Sequence, residues 1–199
     1  MVQFPKALRD LIVSFERLPG IGPKSATRLA FYLLNTPPSF VVEFAQALLN
    51  IKKDIKICKQ CFSVSEEEEC LICLDKKRNH KLICVVERAI DVMAIENMGG
   101  YTGVYHVLGG VINPLDHVGP DDLKIDELLS RIDDIEEIII ATNSTMEGEA
   151  TSLYIKRKME ERKPGLKISR IGSGLPMGAD LEFADQATLC RAMEGRREI

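Results

Sequence analysis

The chain is predicted to be an α+β protein of several small modules: a helical start, a cysteine-bearing insert, an α/β unit with a mainly parallel sheet, and a tail with a Gly/Pro loop and a helix. Three observations predict this. Apolar residues recur at helical spacing through the first fifty or so positions. Two Cys-x-x-Cys pairs then interrupt that pattern. Beyond them, short runs rich in Ile and Val alternate with helical stretches, the pattern of buried parallel strands and their crossovers.

Each element has its own signal. Phe4, Leu8, Leu11, Phe15 and Leu18 fall three and four apart on one helical face, and Pro19 with Gly20 stops the helix. A second helix is expected over about 24–34 and a third over about 38–51, where Phe40, Phe44, Leu48 and Ile51 keep the spacing. Residues 58–73 read as a small loop-rich insert with the acidic run 66–69, and the polar stretch 75–81 marks a compositional boundary. Strands are expected at 82–86, 103–108, 137–141 and 167–171, with helices near 88–97, 121–132 and 147–162. The tail opens with the Gly/Pro loop 172–178 and ends in a helix over 184–193. The boundaries that follow are 1–53, 54–79, 80–171 and 172–199.

Composition narrows the class. The 199 residues are 45% hydrophobic and 28% charged, an ordinary globular balance, and with 6% aromatics and no Trp the core must be aliphatic. The net charge of −4 gives no whole-molecule attraction to nucleic acid, so any such binding needs a local basic patch or its repetition in an oligomer. No apolar run approaches bilayer length, and Lys6, Arg9 and Asp10 break any signal-peptide pattern at the start, so a cytoplasmic protein is expected, with no membrane partner. Six cysteines in a reducing compartment point to metal rather than disulfides. Cys84 and Cys190 lie apart in apolar surroundings and are expected in the core.

Cys58, Cys61, Cys70 and Cys73 carry the strongest chemical signal. Each Cys-x-x-Cys pair closes a tight knuckle, and two such pairs direct four thiolates at one tetrahedral zinc ion. Four protein ligands leave no open position, so one structural zinc per chain is expected. The competing reading is a pair of redox dithiols or free thiols.

A second signal lies between the first two helices, in Leu18-Pro19-Gly20-Ile21-Gly22-Pro23-Lys24-Ser25-Ala26. Gly20 and Gly22 permit a hairpin with outward-facing amides. With Ser25 at the start of the second helix and the cations Lys24 and Arg28 four residues apart, these would make a sequence-independent phosphate clamp. A nucleotide P-loop is excluded, because Pro23 separates Gly22 from Lys24 and a helix, not a strand, comes before. A plain turn between helices is the bland alternative. The segment resembles a helix-hairpin-helix motif, a DNA-backbone binder.

The third signal, 141–150, follows a predicted strand at its carboxyl end, where α/β folds place their sites. With Glu87 after the first strand, it resembles a Toprim domain. In catalytic Toprim proteins the resemblance implies an Asp-x-Asp that holds magnesium, but here Asn143 and Thr145 stand at those positions. A neutral amide and a hydroxyl do not gather divalent cations as carboxylates do, so phosphoryl transfer is not expected. Glu87, Glu147 and Glu149 remain as an acidic cluster, with a merely solvated helix start as the alternative.

The order of these modules, together with the stretches 105–110, 113–115, 119–120, 168–171, 174–176, 181–185 and 195–196, resembles the RecR family of bacterial recombination mediators over essentially the whole chain. The resemblance implies a non-enzymatic role: with RecO and RecF, loading RecA onto single-stranded or gapped DNA coated with single-strand-binding protein. It further implies dimers and ring-like tetramers built through the two ends of the chain, acting as a clamp on single- or double-stranded DNA. Carried onto this sequence, Lys24 and Arg28 face DNA, the cluster of Glu87, Asn143, Glu147 and Glu149 contacts RecO, and the zinc site is a rigid joint between modules. Rival readings are a magnesium-dependent Toprim nuclease or topoisomerase-like enzyme, and a zinc-stabilised adaptor that binds only proteins.

Overall fold

The computed structural model describes residues 4–196 except 173, 176, 177 and 179, so part of the predicted Gly/Pro loop lies outside the described residues. The chain divides into two compact units, Met1–Ile55 and Lys56–Ile199.

The first unit is helical: α1 (Lys6–Glu16), α2 (Pro23–Leu34) and α3 (Pro38–Asp54). Ala26 and Ala30, one turn apart on α2, are fully buried against Ile12. Their small side chains let α1 approach closely, and Leu8, Leu11 and Phe15 close around the contact. Proline at the first position of both α2 and α3 presets the helical φ where no amide is needed. In contrast, α3 buries no residue within the described chain. Its Val42, Leu48, Leu49 and Ile51 stay exposed, and an apolar groove of about 630 Å³ runs between Leu8 and Leu11 of α1, Leu33 and Leu34 of α2, and Val41 and Phe44 of α3.

The second unit begins with the hairpin β1 (Lys56–Ile57) and β2 (Val64–Ser65) and the short helix α4 (Leu71–Leu74). It continues as β3 (Asn79–Val86), α5 (Ala89–Met98), β4 (Gly103–Val107), α6 (Ile125–Leu129), β5 (Glu137–Ala141), α7 (Met146–Arg162), β6 (Lys167–Arg170) and α8 (Gln186–Glu194). The sheet order is β4-β3-β5-β6, all neighbours parallel. Alternation along β3 sorts the core: Ile83 and Val85 join Ile138, Ile140, Ile155 and Met159 on one face, while Cys84 and Val86 join Val92, Tyr105 and Val107 on the other. The cysteine module and α5 cover this second face through Phe62, Ile72 and Ile95.

The four main strands form as expected, and three other expectations are corrected. The helix expected over 121–132 is only Ile125–Leu129, because Pro120–Asp122 makes a 3-10 turn and Leu123 is extended before it, with Lys124 N–H bonded to the Leu108 carbonyl. The first strand starts at Asn79, inside the stretch read as a polar boundary. Cys190 is exposed rather than in the core, because α8 buries no residue.

One buried polar residue makes the fold pH-sensitive. His106 on β4 is completely buried, with Nε2 2.6 Å from the Lys124 carbonyl oxygen and Nδ1 3.0 Å from the Arg131 guanidinium. A guanidinium only donates, so Nδ1 is the acceptor and Nε2–H donates to the carbonyl, which makes the ring neutral. Burial first, and the Arg131 charge second, push its pKa down to about 3 from 6.5. A pKa lowered by folding contributes stability that is present above 6.5 and lost as pH falls toward 3. Urea midpoints should therefore show wild type losing about 2 kcal/mol more than His106→Gln between about pH 7.5 and about pH 5; equal losses would contradict a neutral buried imidazole.

Candidate functional site

The Sγ atoms of Cys58, Cys61, Cys70 and Cys73 lie within 4.8 Å of one another, and all four residues are buried. Two of the separations are 3.9 Å (Cys58 to Cys73) and 3.5 Å (Cys61 to Cys70). A tetrahedron with zinc–sulfur bonds of about 2.3 Å has edges of about 3.8 Å, so the donor set fits zinc. The Cys70 N–H donates to Cys58 Sγ at 3.3 Å, as suits a thiolate. Among the four sulfurs alone, hydrogen bonding led by Cys73 draws Cys61 down to about 5, while burial pushes Cys70 up to about 11 and the hydrogen bond with Cys61, then burial, raise Cys73. Burial and hydrogen bonding thus keep Cys70 and Cys73 protonated beside the Cys61 thiolate, and a bound divalent cation would favour the thiolates instead. The run 66–69 stays outside the sulfur cluster, Glu68 pairing with Lys59 at 2.8 Å and Glu67 with Lys56 at 3.6 Å.

The knuckle is joined to the sheet. Val107 N–H of β4 donates to the Cys61 carbonyl at 2.8 Å. Phe62 follows with φ of +62°, setting its ring edge-on to His106 at 5.4 Å and beneath Lys124 Nζ at 5.5 Å.

In the first unit, the turn into α2 needs glycine at one of its two positions. Gly20 has φ of +80°, in the left-handed region. Gly22 is the extended N-cap of α2, and a Cβ there would meet nothing within 4 Å in the chain. The amides of Gly22, Lys24 and Ser25 have no hydrogen-bond acceptor among the described residues, α2 being without a side-chain cap. Lys24 and Arg28 are exposed and form no ion pair among the described residues. Residues 1–55 carry seven Lys or Arg against four Asp or Glu, although the whole chain carries 26 against 30. The basic excess is thus local.

At the carboxyl end of the sheet, Glu87 is 7% exposed and accepts from Asn143 twice, from N–H at 2.6 Å and from Nδ2 at 2.7 Å. Thr145 N-caps α7 by accepting from Gly148 N–H at 3.1 Å. Gly148 allows this packing: a Cβ there would collide with the Asn143 carbonyl oxygen and press on Glu87 Oε1. Two residues that sequence reasoning missed complete the site. Arg170, at the end of β6, pairs with Glu149 and lies 3.3 Å from both Ser152 Oγ and the Asn143 carbonyl. Arg191 of α8 reaches the other Glu149 oxygen at 3.2 Å and the Ser144 carbonyl at 3.3 Å. A cation at a strand's carboxyl end was a readable signal for Arg170; none pointed to Arg191. Glu147 has no cationic partner among the described residues. The residues present do not suit magnesium: Glu87 and Asn143 are joined, Thr145 is a cap, and a guanidinium sits on Glu149.

Comparison with known families covers nearly all of this. Residues 8–52 match the RecR helix-hairpin-helix model, 55–75 the RecR four-cysteine zinc finger domain, and 174–197 the RecR C-terminal model. The chain belongs to the RecR family. Residues 81–172 match the Toprim domain model between the RecR segments. Membership makes this chain a recombination mediator in DNA repair, with a DNA-binding helix-hairpin-helix and a zinc finger at the four cysteines. No helix among the described residues is long and apolar enough to cross a membrane.

The zinc finger has little besides its cysteines to hold it: its own buried cluster is the four sulfurs with Ile72 packed against them. Cys58→Ser with Cys61→Ser should therefore abolish zinc binding and lower the thermal midpoint together, as read by metal analysis and calorimetry. A metal-free variant that melts with wild type would contradict a structural zinc.

Proposed function

We propose that the chain is a non-enzymatic, DNA-binding mediator that works with RecO and RecF to load RecA onto single-stranded or gapped DNA coated with single-strand-binding protein. The observation that carries this reading is the start of α2, where Lys24 and Arg28 stand exposed beside the unengaged amides of Gly22, Lys24 and Ser25. Orphan amides at a helix start, with two cations one turn apart, suit phosphate oxygens of either single- or double-stranded DNA. The open space over Gly22 suits close approach of a sugar-phosphate backbone.

Two cations per chain bind DNA weakly, so repetition is part of the proposal: a homo-oligomeric ring or clamp lines one channel with several copies of Lys24 and Arg28. The apolar groove of the helical unit and the uncovered side of α3 support assembly, because apolar surface of this extent on a 55-residue unit favours a second copy of the chain. The acidic face of Glu87, Asn143, Glu147 and Glu149 is the proposed RecO contact. A cytoplasmic location fits all of these partners.

Lys24→Ala with Arg28→Ala should lose at least about tenfold in DNA affinity at moderate salt and flatten the salt dependence, with circular dichroism unchanged. Wild-type affinity in that double variant would remove the clamp. The enzyme alternative meets a direct check: with magnesium or manganese added, no cleavage or relaxation of plasmid DNA is expected above background, and metal-dependent product would overturn the non-enzymatic assignment.

A further inference from the structure

Four thiolates on one divalent ion leave two negative charges over, and here the four sulfurs are buried. A buried charge of this size needs positive charge nearby. The Cys70 amide on Cys58 Sγ supplies only a dipole. Several cations near the finger already have a carboxylate: Lys56 pairs with Glu67, Lys59 with Glu68, Arg78 with Glu96 and Lys124 with Glu127. Arg131 differs from them.

Arg131 follows α6, whose Ile125 and Leu128 sit in the sheet core, and it is half-buried. Its Nη1 donates to the Tyr105 carbonyl at 3.1 Å and to His106 Nδ1 at 3.0 Å, both neutral acceptors, and it forms no ion pair among the described residues. Alternate residues of a strand turn their backbone groups to the same edge, so the Tyr105 carbonyl and the Val107 N–H are neighbours on the open edge of β4. The first receives Arg131, and the second holds the Cys61 carbonyl at 2.8 Å. The His106 ring that Arg131 also holds lies against Phe62, the residue after Cys61. The guanidinium is thereby fixed beside the cysteine knuckle. Burial holds its pKa below the ordinary guanidinium value, and the charges acting against burial are those of Cys73, Cys61, Cys58 and Cys70.

We infer that Arg131 is the charge partner of the zinc–tetrathiolate centre: the α/β unit lends the finger a guanidinium that offsets part of the excess negative charge and so tightens zinc. Zinc affinity is then a property of both modules and not of the cysteine knuckles alone. A guanidinium suits the role, because it stays charged when half-buried and its rigid fork keeps it on the edge of β4. A neutral side chain at this position weakens zinc, one that keeps the charge does not, and the effect shrinks when the ligand set itself carries less charge.

The experiment withdraws zinc from the full, zinc-loaded chain with a graded series of a chromophoric chelator at neutral pH, with circular dichroism followed alongside. Arg131→Gln should hold zinc about ten- to hundredfold more weakly than wild type, the range for a residue that supports a metal site from outside its ligands. Arg131→Lys should stay within about threefold of wild type. In a Cys70→His background a neutral imidazole leaves one negative charge over instead of two, so the Arg131→Gln penalty should shrink to about three- to tenfold. Wild-type affinity in Arg131→Gln overturns the proposal. Zinc held as weakly by Arg131→Lys as by Arg131→Gln assigns the effect to the hydrogen bonds on Tyr105 and His106 and overturns the charge role, as does an undiminished penalty in the Cys70→His background. Should Arg131→Gln fail to fold, or Cys70→His fail to take up zinc, Arg131→Lys decides alone: affinity within about threefold of wild type supports the charge partner, and a larger loss overturns it.

Discussion

Four buried sulfurs within 4.8 Å of one another form the contact on which this half of the molecule turns. Thiolates so close repel in a low-dielectric setting, and the surrounding finger has only two-residue strands and one helical turn to oppose them. Zinc turns that repulsion into a fixed tetrahedron. Once the knuckle is fixed, the Cys61 carbonyl meets β4, and Phe62 is turned onto His106. The neutral imidazole then bridges the Lys124 carbonyl and Arg131, whose guanidinium also holds the Tyr105 carbonyl at 3.1 Å. The Tyr105 hydroxyl in turn donates to Glu96 at 2.5 Å, the carboxylate that pairs with Arg78 just after the finger. A continuous set of aromatic and polar contacts thus leads from the cysteine cluster through the edge strand to Arg78, just after the finger.

The carboxyl end of the sheet, where related folds hold metal, is tied together by hydrogen bonds and ion pairs within the chain. Most polar groups at this end are engaged within the chain, Glu87 by Asn143, Thr145 as a cap and Glu149 by arginine, and Glu147 alone of the acidic cluster has no cationic partner among the described residues. Arginine supplies the positive charge that a divalent ion would otherwise bring, but as a planar donor without open coordination positions. The basic excess lies instead in the helical unit, whose local charge is opposite in sign to that of the rest of the chain.

Much of this was legible in the residues, for identifiable reasons. The cysteine spacing declares a ligand set whatever surrounds it, and the Ile/Val runs of β3 and β5 declare buried strands because both faces are covered. The segment over 121–132 misled because its apolar residues Leu123, Ile125, Leu128 and Ile132 do face one core, yet Leu123 and Ile132 do so from outside the helix. Periodicity reports the face and not the backbone. Cys190 misled because local apolar neighbours do not show whether a helix has anything to pack on. Arg170 and Arg191 escaped notice because their partners lie 21 and 42 positions away in sequence, joined only by the topology of β6 and α8.

The bond from Val107 N–H to the Cys61 carbonyl has a consequence for the cell's metal supply. Strand β4 is the outermost of its sheet, and the finger covers its open side. Without zinc the finger no longer holds that position, and an edge of unpaired backbone with Tyr105 and Val107 beside it becomes available to any other extended chain. Zinc starvation would thus do more than idle this protein: it would turn a well-folded chain into a seed for aggregates, with clearance by proteolysis as the alternative fate.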